Sequence, residues 1–212
     1  MVKATISSEG RAGSLDLIGG ALALDFANTS SGRGGPQHLD HLRAAADVVV
    51  WARHVGAIGE AAAALLEKAL ASGDPRLAEL LPQALALREA IHRVGGAIAS
   101  KAKPDPADLE ILHQAVARAV AGAKLAPSGD GYRWTFESGE PRIESVLGPI
   151  ALSAVGLLRD GDLSRLKKCG GEHCGWLFFD LTKNKSRRWC EMSVCGNRSK
   201  ARTRRMRATK VG

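Results

Sequence analysis

The chain has 212 residues, of which 45% are hydrophobic, 25% are charged and 4% are aromatic. This length allows one well-buried core and a small second unit, and the composition is ordinary for a soluble globular protein. Because aromatic residues are scarce and alanine is abundant, the sequence favours packed helices over an all-β sandwich.

The net charge of +8 is concentrated in the C-terminal quarter of the chain. Residues 159–212 contain fifteen Lys or Arg and five Asp or Glu, whereas the rest contains fifteen basic and seventeen acidic residues. This asymmetry indicates a polyanionic partner, either nucleic acid or an anionic membrane surface. The longest apolar run, residues 146–158, is too short to span a bilayer, and the apolar patch at residues 17–24 is a poor secretory signal. We therefore expect a soluble cytoplasmic protein outside the membrane.

Residues 1–14 mix polar residues with glycine, and we expect them to be disordered or vector-derived. The pattern of residues 15–160 predicts a helix-rich domain of the α+β class with a few short strands. Asp-Pro pairs open two of its helices, with Asp as the N-cap and Pro at the first helical position. The predicted elements are a strand or helical turn at 22–27, helices at 40–56, 59–73, 74–103 and 105–122, two strands around a turn at 128–131, and a helix at 141–160.

Three polar residues, Asp25, Asn28 and Thr29, follow or interrupt the first apolar segment. They are candidates for a ligand pocket, which would make this domain a sensor of a small-molecule effector. The same residue types also cap helices and satisfy turns, so a structural role is the alternative.

All four cysteines lie in one short segment, as two pairs with the same internal spacing: Cys169, Cys174, Cys190 and Cys195. Two close pairs at a loop-sized separation are typical of a tetrahedral four-thiolate zinc site, and cytoplasmic proteins rarely keep disulfides. A disulfide or redox module and ligation by His173 are the alternatives. Because the segment has few apolar residues, we expect Zn²⁺ to supply much of its folding free energy.

The residues between and after the cysteine pairs predict a hairpin and a helix. The hairpin arms are predicted at residues 176–180 and 187–189, and the helix is predicted to begin near Cys195. A knuckle, a hairpin and a ligand-bearing helix together make a treble-clef zinc finger over residues 161–212.

This segment closely resembles the CGNR zinc finger, which is named after the tetrapeptide at residues 195–198. The match extends upstream through FFDLTKNKSRRWCEMSVCGNR, and LIGGALALDFANTSSGR resembles the opening of the ABATE domain that precedes such fingers. Together they resemble a bacterial family of stress-induced transcription regulators over nearly the whole chain. The resemblance implies zinc-dependent DNA binding.

The predicted C-terminal helix is strongly basic, and three of its arginines, at positions 198, 202 and 205, share one face. We expect this surface to contact DNA phosphates, with a homodimer suited to paired half-sites. RNA binding, protein binding or a solvated tail are the alternatives. The candidate nucleic-acid-binding residues are Arg187, Arg188, Arg198, Lys200, Arg202, Arg204, Arg205 and Arg207.

Catalysis is disfavoured by the sequence. It contains no P-loop, dinucleotide fingerprint or nucleophile elbow. A treble-clef nuclease is the remaining enzyme alternative, but the predicted hairpin has no histidine, and Asp180 and Asn184 lack an evident catalytic partner. We therefore expect a protein that is not an enzyme.

Overall fold

The computed structural model describes residues 11–136 and 138–208. Its N-terminal region is mainly helical, as predicted, and two small antiparallel sheets are added to it. The elements of this region are α1 (Leu22–Ala27), β1 (Ser30–Ser31), β2 (Leu39–Asp40), α2 (Ala45–His54), α3 (Glu60–Ala71), α4 (Leu80–Ala99), α5 (Pro106–Gly122), β3 (Lys124–Ser128), β4 (Gly131–Thr135) and α6 (Ile143–Asp160).

Both Asp-Pro pairs provide an N-cap, as predicted, but only one of them begins an α-helix. Asp105 caps α5 through a 2.9 Å hydrogen bond from the amide of Ala107. Asp74 instead caps a single 3₁₀ turn, Pro75–Leu77, and α4 begins at Leu80. Pro82 therefore falls in the first turn of α4, where its missing N–H removes no helical hydrogen bond.

The core of the helical region is formed by apolar stripes on α2, α4 and α6. At its centre the rings of Phe26 and Trp51 lie 5.0 Å apart at a 53° angle, and both side chains are fully buried. Within the described residues, none of the helices is both long and apolar enough to cross a bilayer.

The prediction of disorder for residues 1–14 is wrong for the last four of them. Ala12–Ser14 form a 3₁₀ turn that packs against α2, and Ala12 is buried in the core. The apolar side chains of Ala12 and Leu15 hold this turn in place because they are covered by the helical domain. Residues 1–10 lie outside the described part of the chain.

The predicted strands around residues 128–131 are confirmed as a two-stranded antiparallel hairpin, β3–β4. Ser128 pairs with Gly131 across the turn, and Leu125 pairs with Trp134 further along. Gly129 adopts a φ of +57° in the two-residue loop, a conformation that glycine adopts without strain.

The C-terminal finger contains a hairpin and a helix, as predicted, but its strands differ from the expected ones. β5 (Leu166–Lys168) pairs antiparallel with β6 (Leu177–Phe179), so the first cysteine pair lies in the hairpin loop. Residues 187–189 do not pair with β6, and the predicted second arm is wrong. The reason is burial: Leu166 and Leu177 close a small apolar cluster with Leu24 of α1, which orders β5 beside β6.

The last helix begins where it was predicted. A wide π-helical turn, Met192–Gly196, carries the fourth cysteine and leads directly into α7 (Asn197–Ala208). The metal-binding segment and the basic helix are therefore continuous.

Candidate metal centre and nucleic-acid interface

The four cysteine side chains meet at one point in the finger. Their sulfur atoms all lie within 4.8 Å of one another, with 3.6 Å between the Sγ atoms of Cys174 and Cys190 and 3.5 Å between those of Cys190 and Cys195. Four Zn–S bonds of about 2.3 Å in a tetrahedron place the sulfur atoms about 3.8 Å apart. The cluster therefore has the size and ligand set of a structural zinc site, as the cysteine spacing predicted.

Two glycines let the backbone close around this cluster. A Cβ atom on Gly171 would lie 3.0 Å from the Sγ atom of Cys195, and one on Gly196 would lie 2.3 Å from the Sδ atom of Met192. Larger residues at either position would push the loop or the π-helical turn away from the metal ligands.

Thiol ionisation within the cluster depends on a compensating cation. Hydrogen bonds from Cys174 and Cys190, aided by backbone amides, lower the pKa of the Cys169 thiol. The pKa values of Cys174 and Cys190 are raised, first because each is hydrogen-bonded to the Cys169 sulfur. Four thiolates together therefore require a divalent cation, which Zn²⁺ supplies. Because protein ligands fill all four positions, the metal is structural and leaves no open coordination site.

Beyond the metal cluster, the middle of α7 is exposed to solvent. Every side chain from Lys200 to Met206 is exposed. Within the described part of the chain, Arg198, Lys200 and Arg204 have no acidic partner. Their charges are thus available to an external anion.

The other candidate residues of α7 are placed differently. Arg202 forms an ion pair with Glu172 of the zinc-binding loop, and both side chains are about half exposed, so the pair is weak. Arg205 lies on the same helix, and the Arg207 side chain is outside the described residues. Arg198, Arg202 and Arg205 therefore all lie on α7, and Arg202 is paired with the zinc-binding loop.

Family comparisons agree with this arrangement. Residues 165–208 match the CGNR zinc finger, and residues 20–161 match ABATE, described as "Putative stress-induced transcription regulator". The chain belongs to the ABATE family. No curated protein matches it at a significant level. These descriptions are of a regulator and a zinc finger rather than of enzymes.

The CGNR finger is docked on the ABATE domain through hydrogen bonds between side chains and backbone groups. The side-chain amide of Asn28 donates to the carbonyl of Leu177 at 2.8 Å and accepts from its N–H at 2.9 Å. The Trp176 indole donates to the carbonyl of Ser30 at 3.2 Å, and the His92 Nε2 atom bonds to the carbonyl of Gly175 at 2.8 Å. The ABATE domain thus satisfies polar backbone groups of β6 and of the residues before it.

Close packing complements these hydrogen bonds. A Cβ atom on Gly95 of α4 would lie 2.6 Å from the Cδ1 atom of Leu177, and Leu177 is fully buried. A Cβ atom on Gly35 would lie 2.5 Å from the Cβ atom of His173. Glycine at these two positions permits the close approach of the finger.

These contacts favour the structural alternative for Asp25, Asn28 and Thr29, and the ligand pocket there stays a prediction. Asn28 is used in docking the finger, and the buried Thr29 hydroxyl donates to the carbonyl of Phe26 at 2.8 Å. The Asp25 carboxylate accepts from the Gly19 amide at 2.7 Å, while burial raises its pKa. Each polar group is committed to the fold, as in the structural alternative.

Arg187 likewise makes internal contacts, and its predicted contact with nucleic acid stays a prediction. Its guanidinium lies 4.3 Å from the centroid of the Phe178 ring and donates to the carbonyls of Ile18 and Trp189 at 3.2 and 3.1 Å. The neighbouring Arg188 is exposed and lies over the Trp189 ring. Of this pair, only Arg188 is directed toward solvent.

Sequence reasoning considered Asp180 only as a nuclease candidate and missed its structural role, which is to organise the loop between β6 and the second cysteine pair. Its carboxylate accepts from Lys167 at 2.7 Å, from the Thr182 amide and hydroxyl at 2.9 and 2.6 Å and from the Arg187 amide at 2.9 Å. Burial opposes its ionisation, but these hydrogen bonds hold its pKa below the ordinary value. The only sequence signal was its place at the end of an apolar strand.

A cavity of about 850 Å³ lies between the ABATE domain and the finger. The loop before β2 forms one wall, and the zinc-binding loop with the start of α7 forms the other. Its lining includes Ser31, Leu39 and His41 from the ABATE domain and Trp176, Arg198 and Arg202 from the finger. The cavity therefore adjoins two of the arginines of the basic helix.

Proposed function

We propose that this ABATE-family chain is a bacterial, cytoplasmic DNA-binding transcription regulator whose basic helix contacts DNA only when Zn²⁺ organises the finger. The observation that carries the proposal is the continuity of the metal site with α7: Cys195 binds the metal, and the exposed Arg198 follows three residues later. Because α7 has few contacts of its own, its orientation depends on the turn that zinc holds in place.

The charge of α7 supports a polyanionic partner. Seven of its side chains, from Lys200 to Met206, are exposed, and mainly basic groups occupy this stretch. An exposed helix without an apolar face gains little from packing against protein, whereas each Lys or Arg that neutralises a phosphate releases bound counterions. This favours nucleic acid over a protein partner.

Duplex DNA is favoured over RNA by the scarcity of exposed aromatic rings near the helix. Single-stranded RNA is commonly held by bases stacked on aromatic side chains. In the finger, Phe178 is fully buried and Trp176 is fixed by its bond to Ser30. Because no phenylalanine, tyrosine or tryptophan side chain among the described residues of the finger is more than partly exposed, the basic surface suits the phosphates of a duplex.

Fluorescence anisotropy with labelled DNA duplexes tests this proposal. Arg204→Ala should weaken binding and reduce the salt slope by about one unit, with similar effects on unrelated sequences. Arg118→Ala, which removes an exposed cation from α5, is the matched control and should bind like the wild type. Equal binding by the two variants would contradict a role for α7, and preference for single-stranded RNA would favour the RNA alternative.

The cavity between the two domains favours a second part of the function, sensing of a small-molecule effector. Its volume of about 850 Å³ is in the range of ligand sites, and its lining joins the ABATE domain to Arg198 and Arg202. A molecule bound there would contact groups on which DNA binding depends. This gives the sensing role a location other than Asp25, Asn28 and Thr29.

A thermal-shift screen of bacterial metabolites, with Leu39→Trp as the variant that fills the cavity, tests this part. A ligand that raises the melting temperature of the wild type should have no effect on the variant and should change DNA affinity. A ligand that stabilises both proteins equally would show that the cavity is not its site.

A further inference from the structure

The described part of the chain exposes ten large hydrophobic side chains, and five of them lie between residues 109 and 134. This stretch comprises α5 and the β3–β4 hairpin. Such a concentration differs from the scattered exposed hydrophobic residues that are normal on a monomer. The five residues are Leu109, Val120, Leu125, Tyr132 and Trp134.

The hairpin gathers its apolar side chains on one face. In the register of β3 and β4, Leu125 is opposite Trp134 and Pro127 is opposite Tyr132. Directly paired residues and residues two apart in a strand share a face, so these four side chains form one surface, here called the hairpin face. Tyr132 is 74% exposed, Leu125 60% and Trp134 43%.

A two-stranded hairpin is marginally stable when its apolar face remains in water. The hairpin face also contains two aromatic residues, the type most enriched in the centres of protein interfaces. A fully exposed aromatic side chain offers on the order of 150–250 Å², so covering the exposed 74% of Tyr132 and 43% of Trp134 would bury part of the about 800 Å² that each partner contributes to a stable interface.

We infer that the hairpin face binds the hairpin face of a second copy of this chain and forms a two-fold symmetric homodimer. The absence of charge on the patch suits a second copy. The chain carries a net charge of +8, which opposes self-association through its basic surfaces, whereas the four side chains of the hairpin face are uncharged. Because a two-fold interface brings the same patch from both subunits together, this neutral patch meets its copy without repulsion.

This inference goes beyond DNA binding, because it depends only on the hairpin. A dimer would present two α7 helices to paired half-sites, but its formation requires no DNA. The oligomeric state can therefore be measured on the protein alone, and its result is separate from the outcome of the DNA experiments.

Sedimentation velocity of the zinc-loaded full chain over a micromolar concentration series tests the inference. The wild type should approach twice the 22.3 kDa mass of one chain. Tyr132→Glu, in the hairpin face, should raise the dimer dissociation constant by about thirtyfold or more. Arg133→Glu introduces the same residue at the adjacent position on the opposite face and should leave the dimer intact.

Circular dichroism and zinc content show whether these variants remain folded, and Trp134→Lys provides a second test if Tyr132→Glu is unfolded. A wild type that stays monomeric throughout the series overturns the inference. So does a folded variant of the hairpin face that dimerises as strongly as the wild type, or an Arg133→Glu control that dissociates to the same extent.

Discussion

The ABATE domain and the finger are stabilised in different ways. The domain buries a large apolar cluster in which side chains from six helices contact one another. The buried cluster at the centre of the finger consists of three cysteines and Phe178, so its interior is formed by metal ligands rather than by hydrocarbon. Because a segment of this size has little apolar area of its own, its stability depends on Zn²⁺ and on its surroundings.

The comparison also shows that the finger is not autonomous. In strand β6, the backbone of Leu177 is hydrogen-bonded to Asn28 of the ABATE domain, and its side chain packs against Gly95. The same side chain lies in an apolar cluster shared with α1. The metal thus fixes the ligand loops and α7, while the ABATE domain fixes the hairpin. The variants below separate these two supports.

Removal of a metal ligand should have the largest effect. In Cys190→Ser the four-thiolate site is lost, and with it a metal contribution on the order of 10 kcal/mol to the folding of the finger. We expect stoichiometric zinc to be lost and the finger to become sensitive to protease, while the ABATE domain retains its helical circular dichroism. Ser193→Ala, an exposed change in the adjacent turn, should keep the metal. A zinc-free variant whose finger resists protease would contradict the predicted dependence on zinc.

Removal of the Asp180 carboxylate should have the next largest effect. Asp180→Asn leaves Lys167 and the loop amides without their buried partner, which should cost about 3 kcal/mol. Because the pKa of Asp180 is lowered in the fold from 3.8, the carboxylate contributes fully above pH of about 4, and its contribution is lost as the pH falls further. Urea unfolding at neutral pH measures the loss, with Asp130→Asn, an exposed change in the β3–β4 loop, as the control. Equal stability of the two variants would show that the Asp180 carboxylate does not stabilise the fold.

Asn28→Ala tests the attachment of the finger. It leaves the buried N–H and carbonyl of Leu177 unpaired, which should cost about 2–4 kcal/mol. Hydrogen exchange should increase in β5 and β6, while zinc remains bound because no ligand is altered. Gln114→Ala, on the exposed face of α5, should leave exchange unchanged. Unaltered protection of β6 in Asn28→Ala would mean that the metal alone holds the hairpin.

Adjacent glycines in α4 offer the finest comparison. Gly95→Ala places a methyl group against the buried Leu177 side chain and should lower stability by about 1–2 kcal/mol. At Gly96, where a Cβ atom meets nothing within 4 Å, alanine should raise stability by up to about 1 kcal/mol through helix propensity. Thermal unfolding of the two variants measures the difference. A shift of the same sign in both would contradict the close approach of the finger at Gly95.

Local patterns in the sequence predicted most of the elements and the metal ligands. The Asp-Pro pairs, the apolar stripes and the paired cysteines each act over a few residues, so their structure follows from the local chain. The pairing of β6 with β5, the attachment through Asn28 and the internal role of Arg187 depend on residues far apart in the chain. The residue types alone do not predict whether these side chains are exposed or buried, because that depends on tertiary contacts.

The central claim is that Zn²⁺ makes α7 competent to bind DNA, and a salt titration with and without the metal tests it most directly. Zinc-loaded protein should bind a duplex with an affinity that falls steeply with salt, with a log–log slope of about −3 if Arg198, Lys200 and Arg204 each neutralise one phosphate. Chelation should abolish this binding, and zinc should restore it. Binding that is insensitive to salt, or equally strong after the metal is removed, would contradict the account.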